Sequence, residues 1–186
     1  MSLLGTLEEI TAELDQARIA HMVAGSVAST YYSEPRTTQD IDIVIDPDRR
    51  SLQAFVGALD PARYYVGDSE AALARRGQFN VIDTTSGWKV DLVVCRDRPF
   101  SRQKLARRRQ VEIEGLRVSV ASPEDTILAK LEWGELSGSS RQRRDVQAMV
   151  GALGDDLDFE YLRRWAVELG VGDALAEMLD RPPPSA

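Results

Sequence analysis

Alternation of acidic and apolar residues over positions 40–46, DIDIVID, predicts a strand with one buried face. Apolar residues three and four positions apart predict helices elsewhere, and the first helix has a capping-box pattern at Thr6-Leu7-Glu8-Glu9. Ser122-Pro123, followed by acidic residues, marks another helix start. The predicted strands are 19–24, 40–46, 63–66, 79–84, 88–94, 111–113 and 116–120. The predicted helices are 6–17, 26–33, 47–59, 69–76, 98–109, 122–133, 139–150, 158–169 and 172–179.

The order of these elements predicts an α/β (α+β) fold in two parts. Strands and helices alternate in residues 1–121, which we expect to form a small mixed sheet with flanking helices. Residues 122–186 carry only helical patterns and are expected to form a C-terminal helical region that packs on this core. Glycine and serine at 134–140 are expected to interrupt the helices there. With 186 residues, 43% of them apolar, the chain is long enough for such a core.

Composition narrows the cellular setting. A single cysteine, Cys95, excludes an intramolecular disulfide and favours the reducing cytosol. No apolar run reaches the roughly 18 residues of a membrane span and no leader is evident, so a cytoplasmic protein without a membrane partner is expected. The net charge of −7 argues against indiscriminate nucleic-acid binding. The basic segment 102–109 fits either a solvated helix face or, if the acceptor is a tRNA, a contact with RNA phosphates.

Asp40 and Asp42 are the first candidate functional residues. Two positions apart in a strand, their side chains point to the same face, with Cα atoms roughly 6.5–7 Å apart. Neighbouring carboxylates repel each other and resist joint ionisation unless a cation lies between them. A hard divalent cation, which prefers oxygen ligands and keeps positions open for phosphate, suits such a pair.

Gly25 and Ser26 follow the first predicted strand and begin a short predicted helix. A glycine lets a ligand approach the backbone closely, and a helix start directs N–H groups at an anion, so the pair is a candidate phosphate site. The alternative is that Gly25 is a turn glycine and Ser26 a helix cap. Both descriptions require the same local geometry.

Together these residues resemble the nucleotidyltransferase superfamily that includes DNA polymerase beta, kanamycin and lincosamide nucleotidyltransferases, minimal nucleotidyltransferases and AbiEii-type toxins. The resemblance lies in a hydrophobic strand ending in Gly25-Ser26, a short helix, and then Arg36-Thr37-Thr38-Gln39-Asp40-Ile41-Asp42. This Arg-x-Thr-x-Asp-Ile-Asp form is closest to AbiEii-type and related uncharacterised bacterial proteins. It implies the small mixed sheet of that superfamily, with helices that close over a nucleotide.

The resemblance implies transfer of a nucleoside monophosphate from an NTP to a hydroxyl acceptor, which could be a tRNA, a protein or a small molecule. Two Mg²⁺ ions, with Mn²⁺ as the alternative, would be held by three carboxylates. The superfamily takes the third acid from a later strand, and Asp91 in Trp88-Lys89-Val90-Asp91-Leu92 matches it. There Asp91 would bind metal and accept the proton of the nucleophile. The alternative is a surface acid paired with Lys89 or an arginine.

The remaining candidates would bind the nucleotide or support the site. Arg36 could hold triphosphate oxygens through its guanidinium group, or form a salt bridge with Glu34. Thr38 is expected to hydrogen-bond the backbone or an aspartate and so fix the geometry. By resemblance to AbiEii-type proteins, Lys130 would reach the triphosphate and Asp145 would orient Lys130 or an arginine. The alternatives are an ordinary surface lysine and an intrahelical Arg–Asp pair.

The chain is shorter than AbiEii-type toxins, so the toxin component of a toxin–antitoxin pair is only one of the functions that the resemblance implies. The alternative function is a non-catalytic nucleotide-binding or toxin–antitoxin partner module that retains the fold. An antitoxin or a second copy of the chain are the protein partners left open. The sequence does not decide the base, the acceptor or the oligomeric state.

Overall fold

The computed structural model describes residues 2–33, 38 and 40–180, which form a mixed α/β structure. The strands are β1 (Ala20–Val23), β2 (Asp40–Asp46), β3 (Tyr64–Val66), β4 (Gln78–Asp83), β5 (Lys89–Val94), β6 (Arg109–Ile113) and β7 (Leu116–Val120). The helices are α1 (Leu3–Gln16), α2 (Gly25–Tyr32), α3 (Arg49–Ala58), α4 (Ser69–Ala74), α5 (Pro99–Ala106), α6 (Pro123–Ser137), α7 (Ser140–Leu153), α8 (Phe159–Glu168) and α9 (Gly172–Asp180). A 3₁₀ turn at Gly154–Asp156 follows α7. None of the helices in the described residues is long and apolar enough to cross a membrane.

The strands form one mixed sheet in the order β3-β4-β5-β2-β1-β7-β6. β2 pairs with β1 in antiparallel and with β5 in parallel orientation, and β1 pairs with β7 in parallel orientation. The outer pairs β3–β4, β4–β5 and β6–β7 are antiparallel. The predicted α/β fold with a mixed sheet and a C-terminal helical segment is therefore confirmed.

The chain divides into two compact units. The first comprises Met1–Val27 and Thr37–Ala121 and contains the sheet. The second comprises Ala28–Arg36 and Ser122–Ala186 and is helical where it is described. Whether 1–121 and 122–186 act as separate domains stays a prediction.

The core of the first unit depends on the side chains of β2, which point alternately to the two faces of the sheet. Ile41, Ile43 and Ile45 are fully buried, as their alternate positions predict. Val44, on the opposite face, belongs to a second apolar cluster beside the sheet. That cluster consists of Met22, Val44, Cys95, Leu105 and Ala121, packed with Ala24 and Val93. The face that carries Asp42 is therefore apolar over part of its length and acidic at the start of β2.

The second unit is a packed set of helices. α6 contacts α7 and α8, and α9 contacts α7 and α8. Its buried side chains include Ile127, Leu128, Val146, Met149, Leu162 and Leu175. The helices are interrupted within the expected segment 134–140, but the predicted end of the first of them at Trp133 is wrong: α6 continues to Ser137, with Gly138 as its C-cap. Gly134 is buried, and a Cβ built there would lie 3.4 Å from Cβ of Gln142 in α7, so this glycine permits close helix packing instead of ending the helix.

Two predicted helix ends also differ. α1 begins at Leu3, with Ser2 Oγ accepting a hydrogen bond from the Gly5 N–H at 3.2 Å. Thr6 is instead buried inside the helix, and Glu9 accepts hydrogen bonds from Arg63 and Tyr64. The capping-box pattern therefore predicted the wrong helix start, because its acidic residue, Glu9, bonds to Arg63 and Tyr64 and does not cap the helix. α5 likewise ends at Ala106, since residues from 109 onward pair with β7.

Candidate active site

Four charged side chains form a block on one face of β2 and β5. In the parallel register Asp40 lies opposite Lys89, and Asp42 lies opposite Asp91. Paired residues on neighbouring strands point to the same side of a sheet, as do residues two apart on one strand. The structure therefore places the three predicted carboxylates on one face, together with a lysine between two of them.

Lys89 joins two of the three carboxylates. Its Nζ lies 3.2 Å from Oδ1 of Asp40 and 2.9 Å from Oδ2 of Asp91. The hydrogen bond to Asp91, and to a lesser degree that to Asp40, raises the pKa of Lys89 despite partial burial. Lys89 is therefore a cation at neutral pH. Pairing between Asp91 and Lys89 was one of the two readings of Asp91 in the sequence.

Gly25 makes room for the carboxylate of Asp42. A Cβ atom built on Gly25 would lie 1.9 Å from Oδ2 and 2.8 Å from Cβ of Asp42. Gly25 also has a φ of +57°, a left-handed conformation that glycine adopts most readily. The Ala24 N–H donates to the backbone carbonyl of Asp42 at 2.8 Å, which ties the end of β1 to this point of β2. Gly25 is thus required for close approach between the start of α2 and the acidic strand.

The supporting residues are placed unevenly. The Thr38 hydroxyl donates to the backbone carbonyl of Asp40 at 3.0 Å, the backbone contact that the sequence had left as one option. Ser26 lies in the first turn of α2, where helix N–H groups lack acceptors within the helix. Arg36 lies outside the described residues, and its role in triphosphate binding stays a prediction.

Asn80 is a neighbour that the sequence analysis missed. It pairs with Asp91 across β4 and β5, so it lies on the same face as the acids. The available signal was its position between Phe79 and Val81, both buried, which marks Asn80 as the outward residue of an alternating strand. The Thr85-Ser86-Gly87 turn between the two strands is a local hairpin signal that makes β4 the neighbour of β5, but it does not fix which residue lies opposite Asp91.

The donor set suits a divalent cation. Among the described residues no group of three or more His, Cys, Asp or Glu side chains is arranged to hold a metal ion. The carboxylates of Asp40 and Asp91 nevertheless already enclose one cation, the Lys89 ammonium. Oxygen donors of this kind are the ligands that Mg²⁺ prefers, so the chemistry of these side chains fits the ion, while their present arrangement holds an ammonium.

Lys130 and Asp145 form a buried ion pair in the second unit. Nζ of Lys130 donates to Oδ2 of Asp145 at 2.7 Å and to Oε1 of Gln142 at 3.1 Å. The side chains of Lys130 and Asp145 are 5% and 8% exposed. Lys130 is therefore not an ordinary surface lysine, and Asp145 contacts it across α6 and α7.

A second buried acid in this unit was not expected from the sequence. Asp125 is fully buried and accepts hydrogen bonds from the hydroxyl groups of Ser122 at 2.7 Å and Tyr161 at 2.6 Å. Its neighbour Glu124 is also buried and accepts from the Asp158 N–H at 3.3 Å. In the sequence these acids read only as residues of the first turn of a helix, where exposed acids are common.

The sheet order, the acids of β2 and β5 and the glycine that begins α2 define a protein with a nucleotidyltransferase fold. The family model described as "Nucleotidyltransferase of unknown function (DUF6036)" matches residues 1–178, and the chain belongs to this family. The predicted membership of the nucleotidyltransferase superfamily is thereby confirmed, while the AbiEii-type subgroup stays a prediction. No curated protein matches the chain at a significant level.

Three solved structures share this fold at low sequence identity. An antigenic nucleotidyltransferase-like protein from Paracoccidioides brasiliensis has a TM-score of 0.57 and 20% identity, over 94% of this chain and 90% of that one. ANT(2″)-Ia in complex with adenylyl-2″-tobramycin has a TM-score of 0.59 and 17% identity, over 90% and 98%. The lincosamide antibiotic adenylyltransferase LnuA, bound to lincomycin, has a TM-score of 0.53 and 11% identity, over 77% and 93%. At these identities the likeness concerns the fold alone.

Proposed function

We propose that the protein is a Mg²⁺-dependent enzyme that transfers a nucleoside monophosphate from an NTP to a hydroxyl acceptor. The observation that carries the proposal is the register of β2 and β5, which aligns Asp42 with Asp91 and leaves Asp40 on the same face. The contact of Gly25 with Asp42 supports it, because the same glycine opens the backbone to a phosphate group. Family membership adds support over residues 1–178.

In the proposed reaction the acceptor oxygen bonds to the α-phosphorus, the bond from phosphorus to the pyrophosphate oxygen breaks, and pyrophosphate leaves. Asp91 takes the proton of the acceptor hydroxyl, since it lies opposite Asp42 on the same face of the sheet, beside the carboxylates that would hold the metal. N–H groups at the start of α2, beside Gly25, bind phosphate oxygens. Asp40 and Asp42, with Asp91, would hold the metal.

Bound Mg²⁺ would supply positive charge that lowers the cost of the negative charge gathering on the phosphate oxygens, and Mn²⁺ would serve the same purpose. The three carboxylates must lie close together on one face of the sheet before an ion binds. The paired strands provide this, since β2 and β5 are neighbours within the sheet. The involvement of Lys130, Arg36 and Ser26 in holding the nucleotide stays a prediction.

The test is transfer of label from an α-labelled NTP. Each NTP is offered with Mg²⁺ and with total cell RNA, total protein or a panel of small molecules in separate reactions. The small molecules begin with hydroxyl-bearing antibiotics, because one fold neighbour is named in complex with adenylyl-2″-tobramycin and another is named as a lincosamide antibiotic adenylyltransferase. Asp42→Asn and Asp91→Asn should each lower transfer by at least about a hundredfold, since metal charge is worth several kcal/mol in such reactions.

Asp46→Asn is the matched control. Asp46 lies at the far end of the same strand, on the same alternating positions, and pairs with Arg76 at 3.0 Å. Transfer by this variant should stay within about twofold of wild type, because an exposed ion pair contributes little. Transfer that survives in Asp42→Asn and Asp91→Asn alike would contradict the proposal.

A second function is favoured by one observation, the Lys89 ammonium between Asp40 and Asp91. A lysine that permanently replaced the metal would leave a nucleotide-binding module without transfer activity, including a partner in a toxin–antitoxin pair. Thermal shifts with each NTP, with and without Mg²⁺, distinguish the two. Stabilisation by NTP that is indifferent to Mg²⁺, with no transfer to any acceptor, would favour the binding module.

A further inference from the structure

We infer that Lys89 is a displaceable internal counter-ion, a positioning residue that holds the carboxylates together before metal binds and leaves when a divalent cation enters. This inference rests on the proposed function, because it concerns the same three carboxylates. It gives Lys89 a role in the metal-free protein, and it predicts that removal of the Lys89 charge raises the affinity for a divalent cation.

The geometry of the block carries the inference. Lys89 and Asp91 are two residues apart on β5, and Lys89 is opposite Asp40 on β2. One ammonium therefore contacts a carboxylate on each strand, at 3.2 Å and 2.9 Å. Without a cation there, the acids of β2 and β5 would repel each other across the strand pair. Three carboxylates and one ammonium still leave a net negative charge, so the block continues to attract a cation of higher charge.

Partial exposure allows the Lys89 ammonium to move into solvent. The side chain of Lys89 is 36% exposed and that of Asp40 is 53% exposed, whereas that of Asp91 is 15% exposed. A lysine has a flexible four-carbon stem, so its charge can move into solvent while its backbone stays in the strand. Exposed ion pairs of this kind are weak and readily exchanged.

Competition follows from this arrangement. Since Lys89 and a divalent ion use the same oxygen atoms, the ion binds only by displacing the ammonium, and its affinity falls accordingly. An ion that brings a nucleotide with it gains further contacts and meets a smaller net cost. The displacement of Lys89 therefore weakens binding of the bare ion, whereas the added nucleotide contacts offset the same cost for the metal–nucleotide complex.

The experiment is a titration with Mn²⁺ alone, in which free Mn²⁺ is measured by electron paramagnetic resonance, without nucleotide or acceptor. Lys89→Met keeps the length of the stem and removes the charge. Its affinity for Mn²⁺ should rise about five- to tenfold over wild type, as expected for the loss of two partly exposed ion pairs. Without metal, the same variant should melt at a lower temperature than wild type, and saturating Mn²⁺ should remove most of that difference.

Three controls separate the inference from a merely structural role. Lys89→Arg retains the charge and should bind Mn²⁺ within about twofold of wild type. Arg49→Met removes an exposed ion pair with Glu70 in the same unit and should leave Mn²⁺ binding unchanged. Asp42→Asn should weaken Mn²⁺ binding in either background. Should Lys89→Met fail to fold, as judged by circular dichroism, Lys89→Gln is titrated instead.

The outcomes distinguish the inference from the proposed function. Equal or weaker Mn²⁺ binding by Lys89→Met, while wild type binds Mn²⁺ and Asp42→Asn does not, overturns the inference and leaves the proposed metal site intact. A rise in affinity for Lys89→Arg as large as that for Lys89→Met also overturns it, because charge would not be the cause. Absence of Mn²⁺ binding in every protein overturns both.

Discussion

The carboxylate of Asp42 occupies the space that any side chain on residue 25 would need: a Cβ atom at Gly25 would lie 1.9 Å from Oδ2 of Asp42. The close approach links the end of β1 to the acidic strand, and the left-handed backbone of Gly25 is part of it. A substitution that disturbs this contact therefore tests whether the position of Asp42 matters for transfer.

We expect Gly25→Ala to abolish transfer while costing about 1–3 kcal/mol of stability. The new methyl group must push away Asp42, whose Cγ and Cβ also lie within 3 Å of it, and the alanine must adopt a strained φ. Transfer assays and urea denaturation measure the two effects. The loss of transfer should exceed what the loss of folded protein explains.

Gly115→Ala is the matched control for backbone strain. Gly115 has a φ of +87°, and a Cβ built there meets no atom within 4 Å. This variant should therefore lose about 1–2 kcal/mol from strain alone and keep its transfer activity. Equal losses of activity in the two variants would show that the contact with Asp42 is irrelevant.

The ion pair of Lys130 with Asp145 should be worth more to folding than its surface counterparts. Asp145→Ala leaves the buried ammonium without its nearest charge and should cost about 3–5 kcal/mol in urea denaturation. Lys130→Met combined with Asp145→Leu should be less destabilised than Asp145→Ala, because neither position then carries a buried charge.

Arg143→Met provides the comparison for that pair. Arg143 contacts Glu135 and Glu177 at 2.8 Å and 2.7 Å, with side chains about 40–50% exposed. Its loss should cost less than about 1 kcal/mol, since exposed pairs contribute little. A cost equal to that of Asp145→Ala would mean that burial does not set the strength of these pairs.

Asp83 should make the protein less stable in acid. Burial alone would raise the pKa of Asp83, but hydrogen bonds from Arg63, Thr85 and Ser86 hold it well below its ordinary value. A carboxylate whose pKa is lowered by folding stabilises the protein above its unfolded pKa, and this contribution is lost as the pH falls. From about pH 5 downward, the free energy of unfolding should fall by up to about 1.4 kcal/mol per pH unit from this group.

Urea denaturation between pH 3 and pH 7 measures this slope. Asp83→Asn should lower stability at pH 7 and flatten the acid slope. Thr85→Ala, which removes a donor at 2.6 Å, should remove only part of it. An unchanged slope in Asp83→Asn would mean that other carboxylates dominate; Glu9, whose pKa is lowered by hydrogen bonds from Arg63 and Tyr64, is the next to test.

Tyr161→Phe tests the buried carboxylate of Asp125. The variant removes a hydrogen bond of 2.6 Å to a carboxyl group that is fully buried, so we expect a loss of about 1–3 kcal/mol in urea denaturation. Tyr65→Phe, at a position 58% exposed, is the control and should change stability by less than about 0.5 kcal/mol. Similar effects in the two variants would argue against a structural role for the buried pair.

Local patterns were sufficient for most of the fold. Strand β2 spans the predicted residues 40–46, and β7 spans the predicted 116–120, because alternation and flanking turn residues are local signals. The start of α1 and the length of α6 were wrong, since Glu9 bonds to residues of β3 and its preceding turn and Gly134 packs against α7. Tertiary contacts decided both, and neither is visible in a short window.

The site was predictable in its residues and less so in its geometry. Alternation alone places Asp40 and Asp42 on one face, but it does not determine which strand lies beside β2. The parallel register that aligns Asp42 with Asp91, and the ammonium of Lys89 between the acids, depend on pairing across the sheet. The metal and nucleotide roles of these residues stay predictions.

The parallel pairing of β2 with β5 also has a consequence during synthesis. β2 emerges from the ribosome with β1 already available on one side, whereas its other neighbour is separated from it by residues 47–88. Until β5 arrives, one edge of a strongly apolar strand stays open, and open edges invite pairing with other chains. The nascent protein should therefore be most prone to aggregation, and most dependent on chaperones, while those residues are being translated.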